Sequence, residues 1–331
     1  MKFGLRIPSF ALGPQTASLA EMGAYLRRAE DLDFDSATCI DHLLTVPPAT
    51  VRTWLEPMVL LGALAGVTRT IKLGPMGITL PLRNPVYYAK EWATLDVLTG
   101  GRGIFGVGVG WHEKEYAAMN VPHNQRGRRM NEMLEAILAL WGGDHVSYHG
   151  EYYKFDDMTV EPKPLQRPHP PIWIPGGTAP FEKIYGQKVS DITPVLRRIA
   201  KYASVLISHS PSTAEMVRED WEKIQMFMKE FGRNPTDLTK AYCNFVYVLK
   251  KGEKSEASIP KFSMISGMDL EFWQKYYLVG EAEDVATRIC AKIEAVGGVG
   301  HVIFNPVDWT MEQLELLANQ VRPRIEKALA R

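Results

Sequence analysis

Gly74-Pro75-Met76-Gly77-Ile78-Thr79-Leu80-Pro81-Leu82-Arg83-Asn84-Pro85 and, further along, Gly103-Ile104-Phe105-Gly106-Val107-Gly108-Val109-Gly110-Trp111 frame the stretch that decides the fold. Residues 70–80 hold an apolar run of strand type. Pro85 then suits the first turn of a helix, where its missing N–H costs nothing. Residues 103–109 form a second strand of alternating glycine and valine. A strand, a helix and a strand in unbroken succession predict a parallel pair with a helical crossover.

The same alternation continues in both directions. Upstream, strands are expected over residues 3–7 and 34–40, with helices over 17–31 and 57–67. Downstream, strands are expected over 171–174, 203–208, 242–249 and 299–305. Their helices fall over 128–141, 194–202, 214–231, 282–296 and 311–329. Eight strand–helix pairs with no intervening linker predict one α/β domain over residues 1–331, a single (β/α)8 TIM barrel. Insertions are expected after strands 4, 5 and 7: a polar hairpin over 146–155, residues 181–191, and a long connection over 250–278. A length of 331 residues is ordinary for one barrel with insertions.

Composition narrows the function classes. Apolar residues make up 46% and charged residues 23%, near the globular average, so a large core is possible. Lys plus Arg equals Asp plus Glu at 38 each, and this neutrality argues against nucleic-acid or anionic-membrane partners. The opening Met1-Lys2-Phe3-Gly4-Leu5 lacks a signal-peptide layout, and no apolar run reaches transmembrane length. Cys39, Cys243 and Cys290 are scattered through apolar segments and read as buried thiols. A cytoplasmic protein is expected.

In such barrels the chemistry sits where strands end and helices begin. That rule selects Pro8-Ser9, Asp41-His42, Leu80 with Arg83-Asn84, Gly110-Trp111-His112, Gly176-Gly177-Thr178 and His209. The alternating glycines either open one face to a flat ligand or serve close packing. Gly176-Gly177-Thr178 offers amide donors and a hydroxyl suited to a phosphate, or is an ordinary turn. His112, Glu113, Glu115 and His123 match no metal-ligand spacing and read as a solvated rim, so no metal is expected. Arg126, Arg128 and Arg129 crowd a helix start, where an anion would relieve them, or a plain surface would carry them. Met264, Met268, Phe272, Trp273, Tyr276 and Tyr277 either line an apolar pocket or form core.

A wider set of motifs carries a resemblance. Leu80-Pro81-Leu82-Arg83-Asn84-Pro85, Ala89-Lys90-Glu91, Ala93-Thr94-Leu95-Asp96, Gly100-Gly101-Arg102 and the glycine run to Trp111, with Glu115 beyond, stand in one order. Arg126-Gly127, Leu140-Trp141, His149-Gly150-Glu151-Tyr152-Tyr153, Glu161-Pro162-Lys163-Pro164, Pro168-His169-Pro170-Pro171-Ile172-Trp173 and Val279-Gly280 extend it. The chain resembles the bacterial-luciferase-like family, which includes flavin monooxygenases and deazaflavin (coenzyme F420) dependent oxidoreductases.

The resemblance implies a two-component monooxygenase that takes reduced FMN from a flavin reductase and uses O2 on a small organic substrate. An F420-dependent hydride-transfer enzyme and a non-catalytic flavin-binding protein are the alternatives. Some deazaflavin members carry a carboxylate just after the strand-4 glycines, where this chain has Trp111. The resemblance makes His42 the catalytic residue and sets Gly77, Ile78, Gly108, Val109, Gly110, Gly176, Gly177 and Thr178 against the cofactor, the last three on its phosphate. Trp111, His209, Met268 and Trp273 are expected in the substrate pocket or a lid over it. A homodimer packed through early-barrel helices is implied as well.

Overall fold

The chain is described from a computed structural model, which covers residues 1–11, 17–45, 53–182, 189, 191–259, 261 and 270–330. Eight parallel strands form the frame: β1 Lys2–Arg6, β2 Ser36–Cys39, β3 Lys72–Pro75, β4 Phe105–Gly108, β5 Ile172–Pro175, β6 Val205–Ser208, β7 Thr239–Val248 and β8 His301–Pro306. Each pairs with the next in sequence. β1 pairs β2 (Gly4 with Ser36), β2 pairs β3 (Ser36 with Lys72), and β7 pairs β8 (Ala241 with His301). Between β3 and β4 the link is a parallel bridge from Leu73 to Gly103. β8 returns to β1, Lys2 opposite His301, and so the ring closes as a TIM-type barrel.

Period-2 alternation sorts the strand residues. Phe3, Leu5, Val302 and Phe304 join the main core shared with the helices. Ile104, Trp173, Val205, Ile207, Ala241, Cys243 and Ile303, with Met76, pack into a second core inside the ring. Two polar features share that interior: Ser36 Oγ lies 3.1 Å from His301 Nε2, and the Arg6 guanidinium reaches Met76 Sδ at 3.3 Å. All three cysteines are buried and free.

Eight helices follow the strands: α1 Leu19–Asp31, α2 Pro57–Ala65, α3 Pro85–Leu98, α4 Arg126–Gly142, α5 Thr193–Tyr202, α6 Ala214–Glu230, α7 Ala282–Ala295 and α8 Arg322–Leu329. Local signals set their starts. Ser18 and Glu21 form a capping box on α1, and Asn84 caps α3 with Pro85 next to it. The helix expected over 311–329 is instead broken into Met311–Leu316, a π turn Leu317–Val321 and α8. Pro323 has no N–H to continue a regular ladder, which accounts for the irregular turn before it.

Val146–His149 pairs antiparallel with Lys154–Met158, the hairpin expected before β5. Most of the 181–191 segment and part of the 250–278 connection lie outside the described residues. The end of that connection, Leu278–Gly280, pairs with the last residues of β7. On the C-terminal side of the ring, Phe10–Ala11 pairs antiparallel with Thr53–Trp54, tying the segments after β1 and β2 together. Among the described residues no helix is long and apolar enough to cross a membrane.

Candidate active site at the carboxyl ends of the strands

The residue after β2 that the sequence singles out, His42, sits in a built environment. Its neighbour Asp41 is buried and accepts from the Thr79 amide at 2.7 Å and from Arg83 Nη2 at 3.0 Å. These bonds pin the end of β2 to the segment after β3. His42 itself is 12% exposed in its side chain, and its Nδ1 lies 3.2 Å from Glu115 Oε1. The same oxygen accepts the amides of Leu43 at 2.8 Å and Leu44 at 3.2 Å.

Glu115 is therefore no part of a solvated rim. It is 2% exposed, at the start of the short helix Glu113–Ala118, and faces the loop after β2. Burial alone would raise its pKa. The hydrogen bond and charge of His42, with the Leu44 and Leu43 amides, outweigh that and hold it below the usual carboxylate value. An ionised carboxylate only accepts, so Nδ1 of His42 carries the proton and Nε2 is left as the reactive nitrogen. Two indoles flank the ring, Trp54 at 4.8 Å and Trp111 at 6.2 Å between centroids.

The glycine run divides by cause. A Cβ on Gly106 would stand 1.7 Å from the Pro75 carbonyl oxygen, so this glycine is required by close approach of β3 and β4. Gly110 has φ +65° and packs on Thr79. Gly108 differs, since a Cβ there would meet nothing nearer than 3.8 Å, at Gly77 and Pro175. Close packing therefore does not force Gly108, whereas a Cβ on Gly77 would come within 2.6 Å of Pro175. Ile78 and Val109 turn their side chains to the main core and can offer only backbone to a flat ligand. The Val109 carbonyl already accepts from the Tyr116 hydroxyl.

The loop after β5 carries an unexpected partner. Gly176 N donates to Ile207 O at 3.0 Å within the barrel. Thr178 gives its amide to Asp220 Oδ2 at 2.5 Å and its hydroxyl to Asp220 Oδ1 at 2.8 Å. Two of the donors expected to meet a phosphate, the Thr178 amide and hydroxyl, are engaged by a carboxylate from α6. His209 follows β6, its half-buried ring edge-on to Phe181 at 5.2 Å. Burial pushes its pKa down to about 4, so it stays neutral near pH 7.

Met268 lies outside the described residues, and for Trp273 only the backbone, in helix Leu270–Tyr276, is described. Phe272 and Tyr277 pack with Tyr247 and Val307 in a satellite core beside the end of β7. The arginines at the start of α4 are answered by protein groups: Arg126 bonds the His123 carbonyl, Arg128 pairs with Glu151, and Arg129 lies over Tyr152. Trp54 and Asp220 carried no sequence signal of their own. Both are brought in by chain folding from distant segments.

Comparison with known proteins places this geometry in a family. The family described as luciferase-like monooxygenase matches residues 1–268, and the chain belongs to it. An FMNH2-dependent dimethylsulfone monooxygenase of Pseudomonas putida is 41% identical over 111 residues, 33% of this chain and 30% of that relative. The chain therefore matches about a third of that relative's length. Among solved structures, the monooxygenase RslO1 from Streptomyces bottropensis superposes with a TM-score of 0.74 at 21% identity, covering 98% of this chain and 99% of its own. An F420-dependent secondary alcohol dehydrogenase in complex with an F420–acetone adduct gives 0.79 at 16% identity, covering 98% of each chain. At these identities the superpositions establish the barrel fold.

Proposed function

We propose that this member of the luciferase-like monooxygenase family is a flavin-dependent oxidoreductase, acting as the oxygenase of a two-component system on a small organic substrate. The observation that carries this reading is His42, held by buried Glu115 at the end of β2, with its neighbour Asp41 bonded to the Thr79 amide after β3. Reduced FMN, delivered by a flavin reductase, supplies the electrons and activates O2 when bound. The chain supplies orientation and proton handling. The backbone at Gly77, Ile78, Gly108, Val109 and Gly110 would hold the flavin ring. Nε2 of His42 accepts or returns a proton at the reacting centre, with Glu115 fixing the tautomer. Trp54 and Trp111, which flank the imidazole, would limit water around it.

A second reading keeps the same scaffold and base but uses coenzyme F420 for hydride transfer. The likeness to the F420-dependent alcohol dehydrogenase favours it; Trp111, standing directly after the strand-4 glycines, does not. A purely flavin-binding role leaves the buried His42–Glu115 pair without a purpose. We read the chain as one barrel domain, cytoplasmic, and homodimeric. Fluorescence titration with reduced FMN and with reduced coenzyme F420 tests the cofactor. Tighter binding of reduced than oxidised FMN is expected, and a clear preference for reduced F420 would transfer the chain to the second reading.

A further inference from the structure

The loop after β5 ends in Gly176-Gly177-Thr178, and both donors of Thr178 are already committed. Thr178 donates through N at 2.5 Å and Oγ1 at 2.8 Å to the two carboxylate oxygens of Asp220. Asp220 lies on α6 and is 4% exposed, so the contact is internal and not a surface pairing. Gly177 has φ +108°, and a Cβ there would come within 2.8 Å of Asp220 Oδ2. The glycine is explained by the carboxylate alone, with no ligand needed. The arrangement is braced from behind: Ser212 Oγ donates to the Thr178 carbonyl at 2.6 Å, and Lys292 Nζ donates to the Ser212 carbonyl.

A carboxylate with both oxygens bonded to a backbone amide and a neighbouring hydroxyl occupies the hydrogen-bonding role of a phosphate. A phosphate brought to the same donors would have to displace Asp220 or lie beside it, like charge against like charge in a poorly solvated place.

We propose that Asp220 is a specificity residue that fills the phosphate position of the strand-5 loop, so that this chain recognises a flavin by its ring and not by its 5′-phosphate. The proposal rests on the flavin-binding reading above and deepens it. Thr178 is then an internal partner of Asp220, and the ligand class at the mouth is an isoalloxazine or deazaflavin ring with a tolerated, unselected tail.

The test measures binding, not turnover. Riboflavin and FMN, in the same redox state, are titrated against the full chain by flavin fluorescence. Equal affinity within about threefold is expected for the unmodified protein, whereas a phosphate-reading loop would favour FMN by about a hundredfold. Asp220→Asn keeps an acceptor for Thr178 but removes the charge. It should tighten FMN by about tenfold and leave riboflavin unchanged. An FMN preference above about thirtyfold in the unmodified protein, or an unchanged ratio in a folded Asp220→Asn, overturns the proposal. If Asp220→Asn fails to fold, the ratio in the unmodified protein decides alone. Binding of neither flavin would instead defeat the flavin reading itself, and this proposal with it.

Discussion

Glu115 Oε1 lies 3.2 Å from His42 Nδ1 and also accepts the Leu43 amide at 2.8 Å, so one oxygen orients the imidazole and anchors the loop that carries it. Removing the imidazole and removing its anchor should therefore have separable effects. His42→Ala should bind flavin within a few fold of the unmodified chain and slow turnover by about two orders of magnitude, the usual scale for a lost proton-transfer group. Glu115→Gln keeps an acceptor for the amides but loses the charge that favours an imidazolium. Its turnover should fall by about tenfold. Unchanged turnover in His42→Ala would remove that residue from the chemistry.

The same carboxylate makes the fold acid-sensitive. Glu115 has a folded pKa below its unfolded value near 4.5, so the unfolded chain binds more protons as pH falls through this range. Its contribution to stability is complete above pH 4.5 and disappears as pH drops below it toward the folded value. His301, buried inside the barrel, adds to this from higher pH, because burial holds its pKa below the usual imidazole value of 6.5. It stays neutral in the fold while the unfolded chain protonates, so its loss begins below pH 6.5. Thermal melts from pH 7 to pH 3 should show a falling Tm. Glu115→Gln should flatten the lower part of that fall, and parallel curves for the two proteins would refute the assignment.

Two glycines of one strand should respond in opposite ways. Gly106→Ala pushes a methyl against the Pro75 carbonyl oxygen and should cost at least about 1–3 kcal/mol, the usual penalty of overpacking. Gly108→Ala meets only ordinary contacts, so stability should hold within about 0.5 kcal/mol while flavin affinity drops by about tenfold. Denaturant titration and flavin binding on both variants measure this. A stable Gly108→Ala protein with unaltered affinity would move the ring elsewhere.

Helices α2 and α3 leave apolar side chains outside the core: Val59 is 75% exposed, Tyr87 67% and Leu98 66%. Such a surface on otherwise apolar helices fits a contact between two copies. Tyr87→Glu should convert a dimer into a species sedimenting at the chain mass of 37.2 kDa, with Tm little changed. A protein already at that mass at micromolar concentration would end the dimer proposal.

What the chain reveals before folding is local and periodic. Alternating apolar strands and the helix start at Pro85 depend on neighbours a few residues apart, so the eight strand–helix units are readable from residue order. His42 is readable for the same reason, because its place after β2 follows from topology. Tertiary structure decided what surrounds it. Glu115 looks like part of a polar rim in the sequence, 73 positions from His42, and becomes a buried partner only when the loops after β2 and β4 meet. Gly106 and Gly108 are indistinguishable as letters, and only the position of Pro75 separates one forced by packing from one that leaves space. Thr178 reads as a donor awaiting a ligand until α6 brings Asp220 to it across 42 residues. Backbone preference is written within a few residues, whereas a hydrogen-bond partner or a steric limit belongs to whichever segment the closed barrel places alongside.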